Sequence, residues 1–116
     1  MGTYSKEYLS GSSNGRPIPV DIAAVTVHTP HATAKDEIWL WVENTTATAV
    51  TFDLFIDDGS IVNPDDYFCK GLSIPGNSPP IEVLKGIPLT VAANVLKALA
   101  SVDNLLTVHG YVNRIT

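Results

Sequence analysis

Ile38–Asn44 reads IWLWVEN and Val50–Asp57 reads VTFDLFID. Both stretches alternate their side chains almost without a break, the mark of strands with one face toward a core. In the first, Ile38, Leu40 and Val42 share a face and Trp39, Trp41 and Glu43 the other. In the second, Val50, Phe52, Leu54 and Ile56 oppose Thr51, Asp53 and Phe55. The connection Thr45–Ala49 is threonine and alanine and suits a short loop, so the pair is expected to form a β-hairpin.

Working outward, the same idiom recurs. Arg16–Asp21 carries Pro17 and Pro19, which remove ladder donors, and is expected at a sheet edge. Val25–Thr29 is a short strand stopped by Pro30. Asp57–Asp66 is a long turn rich in Asp, Gly, Asn and Pro, followed by strands at Tyr67–Ile74 and Ile81–Leu84. Lys85-Gly86 is a turn signal, and Ile87–Val91 reads as strand or loop. Val91–Val102 permits either a helix of about three turns or a bent strand. Asn104–Arg114 closes the chain as a strong strand. Seven or eight short strands separated by turn chemistry indicate an all-β sandwich or small barrel. Residues 1–15, dominated by Ser, Gly and Asn, read as an extended N-terminal arm, and residues 16–116 as one β-sandwich domain.

Composition narrows the function classes. At 116 residues the chain has room for one two-layer core. Only 16% of residues are charged, against 45% hydrophobic, so some apolar surface is expected to meet a partner, as in an oligomer. Net charge is −5 and the seven lysines and arginines are scattered singly, which disfavours nucleic acid and anionic membranes. No apolar run approaches the roughly 18 residues of a membrane span. The opening residues lack a signal-peptide core, and Lys6 stands where a myristoylation signal wants Ser or Thr. Cys69 is the only cysteine, so no intrachain disulfide holds the fold; it reads as a small buried hydrophobe.

Motifs for chemistry are weak. Gly11–Gly15 (GSSNG) fits the nucleophile-elbow pattern, but a polar arm precedes it and Pro17 follows, where the chemistry needs strand, sharp turn and helix. His28, His31 and His109 would make a zinc site only if the three rings converged; their spacing does not bring them together on a helix. Asp57, Asp58, Asp65 and Asp66 gather oxygen ligands without calcium-loop spacing, and serve equally as turn residues. Trp39, Trp41 and Phe55 are expected as an aromatic strip that packs on a sheet or a neighbour. Asn44-Thr45-Thr46 is a formal glycosylation sequon. No catalytic residue, metal or cofactor is assigned. Tyr4, Tyr8 and Leu9, with Arg16 as polar anchor and Trp39 and Trp41 on the body, are the candidate partner contacts.

Four segments carry a family resemblance: YSKEYLSGSSNGRPIPV at the start, HTPHATAKDEIWLWVENTTATAVTFDLFIDDG in the middle, the NPDD turn, and the closing VHGYVNRIT. Together they resemble small virion structural proteins of tailed bacteriophages, the decoration (cement) and head or neck accessory proteins. The resemblance implies a non-enzymatic capsid subunit with a jelly-roll-like β-sandwich, made in the bacterial cytoplasm and carried on the capsid surface. Its partners would be the major capsid protein or other virion proteins and further copies of itself, a trimer suiting a threefold position. Tail, neck or fibre association is the alternative within that class. A carbohydrate- or receptor-binding module using Trp39, Trp41, Tyr67 and the Asp57–Asp66 loop is the alternative outside it.

Overall fold

Strand β4 (Lys35–Asn44) sets the architecture, because its even positions are inward and its odd positions outward over the full ten residues. The structure is a computed structural model that describes residues 2–12 and 14–116. Around β4 run β1 (Tyr4–Glu7), β2 (Ile18–Val20), β3 (Val25–His28), β5 (Val50–Asp57), β6 (Tyr67–Ile74), β7 (Ile81–Leu89), β8 (Val95–Ala100) and β9 (Leu106–Ile115). Pro64–Asp66 forms a single 3-10 turn.

The strands make two antiparallel sheets. The first runs β2–β9–β4–β7, with β1 continuing the β2 edge along the far half of β9; the second runs β3–β8–β5–β6. Apart from β5 and β6, successive strands from β2 onward alternate between sheets. The partners are β5 with β6, β4 with β7, β3 with β8 and β2 with β9. This is the eight-strand jelly roll, so the expected all-β sandwich of jelly-roll type is what the chain forms.

Between the sheets lies one apolar core. Ile38, Leu40, Val42, Leu106 and Val108 face it from the first sheet, and Phe52, Leu54, Ile74 and Leu96 from the second, all essentially closed to solvent. Each such side chain contributes about 1.5–3 kcal/mol of transfer free energy.

Several local expectations are corrected. Ile38–Asn44 and Val50–Asp57 are strands, but not a hairpin: β4 pairs with β7 and β9, β5 with β6 and β8. Thr45–Ala49 is an arch that carries the chain from one sheet to the other. Two alternating strands can bury the same faces by lying opposite each other across the core as well as by lying side by side. The arch is held by Asn44, whose Nδ2 donates to the Thr48 and Ile74 carbonyls while Oδ1 accepts from the Thr46 N–H and hydroxyl.

Lys85-Gly86 does not end a strand. Strand β7 passes through it, with Gly86 at φ 69° as the extra residue of a bulge between the pairs Ile38–Ile87 and Trp39–Lys85. Val91–Val102 resolves as turn then strand: β8 sits between β3 and β5, and Leu96, Ala98 and Ala100 point inward at every second position.

The leading segment carries a strand of its own and is fastened to the body. β1 pairs with β9 from Tyr4–Ile115 to Glu7–Val112. Beyond it Leu9 enters the core at 2% exposure. Ser10 and Gly11 then hydrogen-bond to β3. An apolar side chain at position 9 gains more by closing the end of the sandwich than by standing in water.

Candidate functional site

Two constellations gather polar and aromatic side chains. The first is on the outer face of the first sheet. Because β4 and β9 pair without a register shift, Trp39 lies opposite Tyr111 and Trp41 opposite His109. The Trp39 and Tyr111 rings are 5.3 Å apart and 8° from parallel, and those of Trp41 and His109 are 5.9 Å apart, also at 8°. Trp41 and Tyr111 approach diagonally at 6.4 Å. Lys6 on β1 places its ammonium 5.0 Å from the Tyr111 ring centre. On the opposite side the Trp39 ring closes over Gly86, where an added Cβ would stand 2.8 Å from Cζ2. The row Lys6–Tyr111–Trp39–Gly86 thus crosses four strands, its rings covering one another's faces. Each stacked pair adds about 0.5–1.5 kcal/mol beyond its buried area.

That geometry fits packing better than sugar binding, which uses an aromatic face open to solvent. The wider set proposed from the sequence is not brought together. Phe55 and Tyr67 belong to the second sheet and pack on each other at 5.6 Å, with Lys70 over Tyr67. Placing β5 across an arch instead of a hairpin is what removes Phe55 from the tryptophans.

The second constellation is buried. His28 at the end of β3 and Asp36 near the start of β4 are 1% and 0% exposed. The His28 Nε2 and Asp36 Oδ2 are 2.8 Å apart. Arg114 on β9 donates to the same carboxylate twice, Nε to Oδ1 at 2.8 Å and Nη2 to Oδ2 at 3.1 Å, and the His31 N–H adds a bond of 3.1 Å. On the far side of the imidazole the Ser10 N–H donates to Nδ1 at 3.0 Å, while the Ser10 Oγ accepts from the Thr29 N–H at 2.6 Å. Nδ1 is therefore the acceptor, and Nε2 carries the proton and donates a hydrogen bond to Asp36.

Burial pushes the His28 pKa down and outweighs the hydrogen bond and charge of Asp36, so the ring is neutral. Burial alone would push Asp36 up, but hydrogen bonds from Arg114, His28 and the His31 N–H hold it below the ordinary carboxylate range. Ser10, His28 and Asp36 are the residue types of a hydrolase triad, yet the wiring differs. The serine meets the imidazole through its backbone N–H and not its hydroxyl, and both ring nitrogens already have partners. The arrangement ties the leading segment, β3, β4 and β9 together.

The remaining candidates fall elsewhere. His31 accepts the Thr33 and Ala34 N–H groups at Nδ1 and closes its own turn, and His109 stacks on Trp41, so the three histidines do not converge. Among the described residues no group of three or more His, Cys, Asp or Glu is placed to hold a metal ion. In the acidic loop, Asp57 accepts from the Gly59 N–H and pairs with Lys97, Asp58 caps Ser60, and Asp66 accepts from the Asn63 N–H. Ser10 and Gly11 form a turn closed by the Ser12 N–H on the Leu9 carbonyl, and the Ser12 hydroxyl donates to the Arg16 carbonyl; the middle serine of the elbow pattern lies outside the described residues. A surface cavity of about 260 Å³ beside it is lined by Ser12, Asn14, Arg16 and Pro17 among others, with Arg16 the one ionisable side chain among the described residues. Cys69 is half-buried, and burial pushes its thiol pKa up.

Of the candidate partner contacts, Tyr4 and Tyr8 are exposed at 71% and 64% and Arg16 is exposed, while Trp39 and Trp41 are half-buried. Leu9 is withdrawn from that set, since it is enclosed in the chain's own core. Asn44 is also buried, with its amide fully engaged in the arch. The buried network and the arch were missed from the sequence, though a signal existed. Asp36 and Asn44 are polar residues in phase with Ile38, Leu40 and Val42, and so had to be buried with partners. Compared with protein-family models, curated proteins and solved structures, the chain matches none.

Proposed function

We propose that the chain is a non-enzymatic structural subunit of a tailed-bacteriophage particle, a decoration or cement protein that stabilises the head through subunit contacts. The observation that carries this reading is the jelly-roll topology, an architecture shared by viral capsid and lectin domains. It is supported by where the resembling segments fall. VHGYVNRIT supplies most of β9, which pairs with β1, β2 and β4; DEIWLWVEN supplies most of β4 and the arch residue Asn44. Those segments build the framework of the domain, as expected for a protein that acts through shape.

Two features suit assembly. The aromatic row gives the first sheet a firm, half-apolar outer face, and Tyr4 and Tyr8 stand out from the leading segment with their phenol rings exposed. The reading includes self-association, with a trimer at a threefold position, a site on the capsid surface and synthesis in the host cytoplasm. Against the lectin alternative stands the mutual covering of the Trp39 and Tyr111 faces.

The test is peptide mass spectrometry and side-chain-resolution imaging of purified virions of the phage that carries this sequence. The expected result is the jelly roll in symmetric copies on the outside of the head. Density at the neck or tail instead would reject the cement role and keep the structural one. Absence from the virion would overturn both.

A further inference from the structure

We propose that His28 is a proton-operated latch: when its imidazole takes up a second proton, residues 2–12 let go of the body while the jelly roll of β2–β9 stays folded. The geometry at the ring carries this. Nε2 is committed to Asp36 and Nδ1 accepts the Ser10 N–H at 3.0 Å. The second proton has to go on Nδ1, where it would point at the Ser10 N–H, donor against donor. The ring cannot turn away, because Asp36 is itself clamped by Arg114 and the His31 N–H. The part with freedom to move is Ser10.

The other ties of the segment are few: beside Leu9, the Ser10 Oγ accepts the Thr29 N–H, Lys6 lies over Tyr111, and the rest is edge pairing. Strand β1 is four residues long, at the sheet edge, and Tyr4, Ser5 and Lys6 are exposed. Gly11 adds one backbone bond to Val27, and Thr3 pairs with Thr116 through two. Leu9 is the segment's core contact, and being the residue before Ser10 it would be drawn out with it. The body has its own sheets, core and arches without these residues.

The charged surroundings are defined on every side. Asp36 approaches from β4 at Nε2, and Arg114 from β9 lies behind it and opposes a second positive charge. Glu7, at the end of β1, influences Arg114. His31 keeps its ring in its own turn. Burial holds the closed-form imidazole below the ordinary histidine value of about 6.5. The open form, with Nδ1 uncovered and Nε2 still on Asp36, binds the proton more readily. Opening therefore becomes more favourable as the pH falls, by up to about tenfold per pH unit, until the closed form charges as well.

The experiment is an NMR titration of the full chain from pH 8 to pH 5. It follows the His28 ring, the amides of Ser5, Ser10 and Gly11, and the body amides of Leu40, Phe52 and Val108. The expected result is a shared midpoint for His28 and the leading amides, with the leading amides losing exchange protection (corrected for intrinsic rates) and the body amides keeping theirs. In His28→Gln the pH-dependent loss should disappear. Leading and body amides melting in one transition would overturn the latch, as would leading amides that stay protected while His28 titrates, or a variant that opens with the same pH profile. The unmutated titration decides the matter even if the variant does not fold.

Discussion

Replacing Asp36 by Asn removes one negative charge from the centre of the buried network while keeping the side chain's size. The carboxylate accepts four hydrogen bonds: from His28 Nε2, from the His31 N–H, and from Nε and Nη2 of Arg114. An amide has one acceptor oxygen, and its NH2 group would confront donors on one side or the other. Breaking a buried pair by removing one partner costs about 3–5 kcal/mol. The Arg114 side chain is 24% exposed and recovers some hydration, which places the expected loss near the lower end, about 3 kcal/mol. In a domain of this size that lowers Tm by about 12 °C. Thermal and urea unfolding followed by circular dichroism measure it. The Asp36→Asn, Arg114→Met double variant should lose clearly less than the sum of the two single changes, because the second removes the charge the first leaves unpaired. A single variant within about 0.5 kcal/mol of the parent would refute the view that this network holds the end of the sandwich together.

Asn44→Ala should cost about 2–3 kcal/mol in urea unfolding, because it strands the Ile74 carbonyl in the core and opens the arch; a change limited to a few tenths would show that the connector holds itself. Gly86→Ala and Gly71→Ala both put a side chain at positive φ, 69° and 68°, but only at Gly86 does the new Cβ meet the Trp39 ring. Gly86→Ala should therefore be the more destabilising by about 1 kcal/mol or more, and equal losses would contradict the packing described for Trp39. Stability followed by urea midpoint against pH should decline in two windows. The first opens below about pH 6.5, where the unfolded chain binds a proton that buried His28 refuses. The second lies below about pH 3.8, where unfolded Asp36 protonates before the folded form does. His28→Gln should remove only the first, and a midpoint flat from pH 7 to pH 5 would contradict the burial of a neutral His28.

How much of this was legible in the sequence follows from the range of each interaction. Alternation is local, so the strands at Ile38–Asn44, Val50–Asp57 and Tyr67–Ile74 and their inner faces could be read directly. Pairing is not local: an arch and a hairpin use the same alternating strands and the same polar connector, which is why β4 and β5 were placed side by side. Val91–Val102 was ambiguous because alanine and leucine serve a helix as well as a strand, and only insertion between β3 and β5 decides. Leu9 stood out in the leading segment as an apolar contact, but nothing local says that the surface it meets is the chain's own core and not a partner's. The aromatic row was half visible: Trp39 and Trp41 stand out, but their partners Tyr111 and His109 arrive from a strand about seventy residues later. The phase of Asp36 announced a buried carboxylate, but its partner could not be named for the same reason, since 78 positions separate it from the Arg114 guanidinium.

The order of strand partners carries a consequence for how the chain reaches this state. β5 and β6 are neighbours in sequence, β4 and β7 flank them, β3 and β8 flank those, and β2 and β9 come outside, with β1 last. The pairs are nested like brackets. A search beginning at either end would have to close a loop nearly as long as the polypeptide, whereas one that starts at the central hairpin closes a short loop at every step, each completed pair bringing the next two segments near each other. Folding that proceeds from the middle outward leaves the segment bearing Leu9 and Ser10 to be added last and, on the same path reversed, removed first.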